Sequence, residues 1–168
     1  MTDAKIVNEL ACSEATFWDR LFFDDDFNRR LFLDELGFAG WRVLKQTSIS
    51  ADVVEREIEV MPKVGDIPGP LRAVVGEGLS YRELGRYDRQ RRQYDVKAIS
   101  KLGDRLTVDG ELTTQSIAPD RCRRIFSVRV VAKIFGVGGM LEKRVLADLE
   151  QNHADSARFI DRYVKTLT

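Results

Sequence analysis

The sequence predicts an α+β fold, a seven-stranded antiparallel sheet with two short helices after strand 1 and one long C-terminal helix. Three observations carry this expectation. From Gly40 to Ile134 apolar residues recur with a period of two, in stretches separated by polar turns, as half-buried strands require. Residues 13–36 instead place aromatic and aliphatic side chains at helical spacing. Beyond Ile134, the run Leu141, Val145, Leu149, His153, Ala157, Ile160 and Val164 keeps one helical face for roughly seven turns at about 3.6 residues per turn.

The elements follow in order. Strand 1 is expected over Lys5–Cys12, where Ile6, Asn8 and Leu10 alternate with Val7, Glu9 and Ala11. Ser13 followed by Glu14 is a helix N-cap, and Phe17, Trp18, Leu21 and Phe22 supply the first helix's apolar face. Asp24-Asp25-Asp26 caps a second helix carrying Phe27, Leu31, Phe32 and Leu36, which stops at Gly37. Gly40–Pro62 reads as a hairpin, with Trp41 and Val43 on one strand, Val54, Ile58 and Val60 on the other, and a turn over Ser48–Asp52. A Gly- and Pro-rich connection, Gly65 to Pro70, leads to Leu71–Val75, long enough for one helical turn. Four more strands are expected over Leu79–Tyr87, Gln93–Ile99, Leu106–Ser116 and Arg121–Ile134. No repeat or low-complexity segment marks a boundary, so residues 1–168 are expected to form a single domain.

Composition narrows the function classes. Twenty-seven Lys and Arg balance 27 Asp and Glu, so no overall field favours a nucleic acid. The opening residues, Met1-Thr-Asp-Ala-Lys-Ile, lack the basic and apolar regions of a secretory leader, and no apolar run has the length of a membrane span. A soluble cytoplasmic protein is the expectation. Cys12 and Cys122 without a CxxC pair, and the single histidine His153, support neither a metal site nor a disulfide framework. No cofactor-binding motif is present either. Gly136-Val-Gly138-Gly139 precedes a helix, but no Lys-Ser/Thr follows it, and the strand before it ends a meander rather than opening a βαβ unit. A tight helix entry is the simpler reading, with a lipid-headgroup contact as the alternative. Asp24–Asp26 lacks the alternating ligand spacing of a calcium loop. Arg89-Gln-Arg91-Arg92 reads as a solvated basic turn, with a partner surface as the alternative.

Two segments resemble a known family. Pro68-Gly-Pro70-Leu71 through Gly78-Leu-Ser-Tyr-Arg-Glu83 resembles a Pro-rich connection into a strand with an internal glutamate, and Ile134-Phe-Gly-Val-Gly-Gly139-Met-Leu-Glu142 resembles a glycine turn into a C-terminal helix. Both are similar to the START-like (SRPBCC, helix-grip) superfamily, close to an uncharacterised family of small START-related proteins of unknown function. The resemblance implies a sheet curved around the long helix, with strand 1 beside the last strand and Cys12 therefore near Cys122. It also implies an internal cavity for a lipid, sterol-like or other hydrophobic small molecule. Transient membrane contact and a protein partner are further candidates. Some members of the superfamily are cyclase-type enzymes and some are adaptors, so an enzyme and a closed-cavity interaction module stand as alternatives.

Strand alternation then selects the residues facing such a cavity. Arg56 falls in the phase of Val54, Ile58 and Val60, and Glu83 in the phase of Leu79, Tyr81 and Tyr87. With Ile58 opposite Tyr81, Arg56 would lie opposite Glu83 and form an internal ion pair with spare hydrogen-bonding capacity for a ligand's polar end. Tyr94, Leu112, Phe126 and Val130 from later strands, and Leu149 and His153 from the long helix, complete the expected ligand-binding set. Val96, Val108 and Val128 share that phase. His153 can both donate and accept a hydrogen bond, yet no Ser or Cys with a matching carboxylate marks a triad around it. No catalytic residue is assigned.

Overall fold

Seven strands hydrogen-bond in the order β1-β7-β6-β5-β4-β3-β2, every neighbouring pair antiparallel. They are β1 (Thr2–Leu10), β2 (Gly40–Ser48), β3 (Val53–Met61), β4 (Tyr81–Asp88), β5 (Gln93–Ser100), β6 (Leu106–Ala118) and β7 (Arg121–Ala132). This computed structural model describes residues 1–63 and 65–167. Helices α1 (14–22) and α2 (25–35) follow β1, α3 (Gly69–Val75) joins β3 to β4, and α4 (Gly138–Tyr163) closes the chain, ending in a 3-10 turn over Val164–Thr166.

The predicted caps form as their chemistry dictates. Ser13 Oγ accepts from the Thr16 amide at 3.1 Å, and an Asp24 carboxylate oxygen accepts from the Phe27 amide at 2.7 Å. Both helices then widen into π-helical turns, Phe17–Phe22 and Arg30–Glu35. The first of these buries Phe17, Trp18 and Leu21 together.

Strand 1 lies toward the N-terminus of the expected Lys5–Cys12. It pairs from Thr2↔Val130 to Leu10↔Cys122. The chain then bends, with the Ala11 amide donating to Asp161 at 2.9 Å. Alternation marks the faces of a strand, but its ends are set by where the partner runs out. The Cys12 and Cys122 side chains lie against one another as buried free thiols.

Helix α4 packs over β1 and β7, and two polar anchors fix it there. Near its start, Glu142 accepts from the Ala132 amide (2.9 Å), the Thr2 hydroxyl (2.7 Å) and the Met1 amino group (2.8 Å). The ammonium partner foremost, then the two neutral donors, hold its carboxyl down at about 2. Further along, buried Arg124 of β7 donates to the His153 carbonyl (2.8 Å) and the Ser156 hydroxyl (3.0 Å). Burial lowers Arg124 to about 10.

Two glycines shape the concave face. One inward row crosses the sheet as Arg56, Gly85, Val96, Gly110 and Val128. The Tyr94 hydroxyl end covers Gly85 and the Phe126 ring covers Gly110, each where a Cβ atom would sit. Glycine in mid-strand therefore lets two aromatic side chains lie flat on the sheet.

Candidate ligand cavity

The concave face is filled at one end and open at the other. At the filled end, α1 drives aromatic side chains into the sheet. Trp18 stacks on Tyr87 at 4.6 Å and donates to the Thr114 hydroxyl at 2.9 Å, while Phe22 meets Tyr94 edge-on at 4.8 Å. At the open end a cavity of about 200 Å³ lies between β4–β6, α3 and α4. Its walls include Leu71, Val75, Leu106, Val108, Leu141 and Val145.

Glu83 stands at the junction of the two ends. One carboxyl oxygen accepts from the Tyr94 hydroxyl at 3.0 Å, across the space left by Gly85. Burial raises its pKa, while Arg56 and the Tyr94 hydrogen bond pull the other way. Tyr81, two residues earlier on the same face, also lines the cavity, and burial and the Glu83 charge keep its hydroxyl protonated.

The expected register is corrected by two residues. Ile58 pairs with Glu83, Val60 with Tyr81 and Arg56 with Gly85. Arg56 and Glu83 still share the inner face but form no ion pair within 4 Å among the described residues. Arg56 is instead held in an aromatic cage, its guanidinium 4.8 Å from the Phe22 ring centre, 5.1 Å from Phe23 and 5.4 Å from Tyr94, with one N–H donated to the Phe22 carbonyl at 3.1 Å. Alternation fixes which face a residue takes but not which row it joins.

Of the other expected residues, Phe126 and Leu149 line the cavity beside Tyr81 and Glu83, as do Val96 and Val108. Tyr94, Leu112 and Val130 are buried in the surrounding core, and His153 stacks on Phe126 at 4.9 Å. Burial foremost, then Arg124, depresses His153 to about 3, so the imidazole is neutral. Leu71, Val75, Ala98 and Ser100 are wall residues outside the expected set. Ala98 and Ser100 continue the phase of Tyr94 and Val96 along β5, and Leu71 and Val75 lie four residues apart on a helical turn. Among the described residues no cluster of His, Cys, Asp or Glu is placed to hold a metal, and no helix is long and apolar enough to cross a membrane.

A family model described as "Protein of unknown function (DUF2505)" matches residues 20–164. The chain belongs to this family. No curated protein matches its sequence. Its structure is similar to that of the Zhui aromatase/cyclase from Streptomyces sp. R1128 (TM-score 0.70, 10% identity, covering 98% of this chain and 93% of that one). A START superfamily protein from Mycobacterium smegmatis aligns with TM-score 0.63 at 15% identity, covering 99% of each chain. Norcoclaurine synthase from Thalictrum flavum, in complex with dopamine and hydroxybenzaldehyde, aligns with TM-score 0.63 at 16% identity, covering 99% of this chain and 88% of that one. This member of the DUF2505 family therefore has the START-like helix-grip fold expected from its sequence.

The geometry around Arg56 gives a prediction. Arg56→Met should leave stability within about 1 kcal/mol of wild type, because a long apolar side chain fits the aromatic cage and no carboxylate loses a salt bridge. It should also raise the Glu83 pKa further, which a carboxyl-carbon NMR titration reads directly.

Proposed function

We propose that the protein binds a compact hydrophobic molecule, its apolar body between α3, α4 and β4–β6 and its polar end at Glu83. The observation that carries this is a partly buried carboxyl bordering a mostly apolar cavity with, among the described residues, no cation within salt-bridge distance. A carboxyl facing such a cavity is costly to ionise unless it meets donors, and the Tyr94 hydroxyl supplies one. At about 200 Å³ the cavity exceeds the roughly 150 Å³ that holds benzene in a dry protein interior, and is smaller than the roughly 300–1,000 Å³ of pockets for drug-sized ligands. A molecule of one or two rings, or a single short chain, fits better than a sterol or a two-chain lipid.

Native mass spectrometry of protein freshly purified from cells tests this. A small apolar species should co-purify with the wild type and be absent from Ala98→Phe, which fills the cavity beside Glu83. Glu83→Gln should keep the species but bind it about tenfold more weakly, the worth of one hydrogen bond to a buried group. Wild-type protein free of any such species, and unable to take one up from a library of small hydrophobic compounds, would end the proposal.

One observation favours a second reading, an acid–base enzyme of the cyclase type. Glu83 has a raised pKa and a hydrogen-bonded tyrosine beside a cavity, as a proton-transfer group needs. His153 does not line that cavity, so this reading rests on Glu83 alone. Turnover of a bound aromatic compound that is lost in Glu83→Gln would select it.

A further inference from the structure

Phe135 is fully exposed, at 104% of its reference accessibility, on the turn between β7 and α4. Nothing in the core accounts for it. The turn that carries it is tightly built. The Gly138 amide donates to the Ile134 carbonyl at 2.9 Å, the Lys133 amide to the Arg105 carbonyl at 2.7 Å, and Gly138 presses so closely on the Ala132 carbonyl that a side chain there would clash. Gly136 takes a φ of 80°, which lets the chain reverse immediately after the phenylalanine. The aromatic ring is thus carried outward on a hydrogen-bonded turn.

Its surroundings say what it meets. Met140, 44% exposed, begins the outer face of α4, and Lys143 follows one turn later on that face. Lys133 and Arg105 are exposed on the two chains that the Lys133–Arg105 backbone bond joins. None of these three cations enters an ion pair among the described residues. Asp104 is the single exposed carboxylate in the adjoining β5–β6 loop, so the patch is net positive. It lies at the cavity end of the molecule. Leu106, which pairs with Ala132, and Leu141, one residue after Met140, both line the cavity.

We infer that the β7–α4 turn docks on an anionic lipid surface, with Phe135 and Met140 entering the interfacial layer and Arg105, Lys133 and Lys143 meeting the headgroups. An aromatic ring flanked by unpaired cations is the arrangement that the bilayer interface favours, through apolar burial together with roughly 1 kcal/mol per basic residue near the surface. A protein partner fits the patch less well. A stable interface needs about 800 Å² per side with a packed apolar centre, and two protruding side chains around a convex turn do not provide one. Docking here sets the cavity end toward the membrane, where apolar molecules partition. The inference does not depend on what the cavity holds.

Flotation of the full chain with vesicles tests it. Wild type should bind vesicles of phosphatidylcholine mixed with phosphatidylglycerol, bind pure phosphatidylcholine at least tenfold more weakly, and be released by high salt. Phe135→Ser should weaken binding to the anionic vesicles about tenfold, and Lys133→Glu with Lys143→Glu should remove the preference for them. Thermal unfolding should be unchanged in Phe135→Ser, because the ring packs on no core residue. Ala98→Phe should bind vesicles like wild type, which separates this test from that of the cavity. Failure of wild type to bind anionic vesicles, or equal binding by Phe135→Ser, overturns the inference. So does a wild-type dimer that Phe135→Ser disperses, since that would make the turn a self-association surface.

Discussion

Gly85→Ala is expected to destabilise the protein by about 1–3 kcal/mol and to detach Tyr94 from Glu83. An added Cβ would fall on the Tyr94 hydroxyl and ring edge. Tyr94 is buried, with only 2% of its surface accessible, and is packed against Phe22, so the ring has little room to withdraw. The hydroxyl would leave Glu83, and without that donor the carboxyl pKa should rise further. Gly110→Ala repeats the experiment on β6, where the obstacle is the Phe126 ring and the change narrows a cavity wall instead. Urea unfolding gives the stability loss, and a carboxyl-carbon NMR titration gives the Glu83 response. The cost of Gly85→Ala should shrink in a Tyr94→Phe background, because part of the clash leaves with the hydroxyl. A Gly85→Ala variant with wild-type stability and an unchanged Glu83 titration would contradict this account of the concave face.

Acid is expected to destabilise the protein in two overlapping windows. His153 is held at about 3 in the fold against an ordinary value of 6.5. Between those pH values the unfolded chain binds the proton that the folded chain refuses. Stability should therefore fall as the pH drops from 6.5 toward 3, by at most about 1.4 kcal/mol per pH unit. Glu142 has the opposite charge type and the same consequence. Its pKa is depressed to about 2 from 4.5, so the stability it contributes is complete above pH 4.5 and is lost as the pH falls toward 2. His153→Phe should keep the stack on Phe126 and flatten the upper window. Glu142→Gln should flatten the lower one and lower stability at neutral pH by about 2 kcal/mol, the worth of hydrogen bonds to a charged group. Glu83, whose pKa is raised, takes up its proton more readily when folded and offsets part of the loss just above pH 4.5. Chemical denaturation of wild type and both variants at intervals across pH 2–7 separates the contributions. A His153→Phe profile parallel to wild type would show that the imidazole is not the upper group.

The element order and both helix caps were legible in the sequence because they depend on local chemistry. Ser13 and Asp24 accept the amide protons of residues three positions on, which no distant contact has to arrange. Alternation likewise identified the inner face, including Arg56 and Glu83 as charges on it. It gave the wrong row, because a period of two is unchanged by a slip of two residues. The cavity was legible only in part for a related reason. Tyr81, Glu83, Phe126 and Leu149 line it, while Tyr94, Leu112 and Val130 share the same phase yet pack into the core around it. Phase says that a side chain points inward, and only the covering helices decide what it meets there.

The sequence alone thus determined the strand and helix order, the face each residue takes and, through two motifs, the helix-grip fold. Each of these follows from contacts within a few residues or from periodicity along one element. Tertiary structure alone decided that Arg56 sits in an aromatic cage rather than on Glu83, that Gly85 and Gly110 make room for Tyr94 and Phe126, and that the open space lies at the α3 end of the sheet. Those outcomes depend on how far α1 and α4 reach across the concave face. That reach is fixed by packing between elements distant in the chain, which no local pattern encodes.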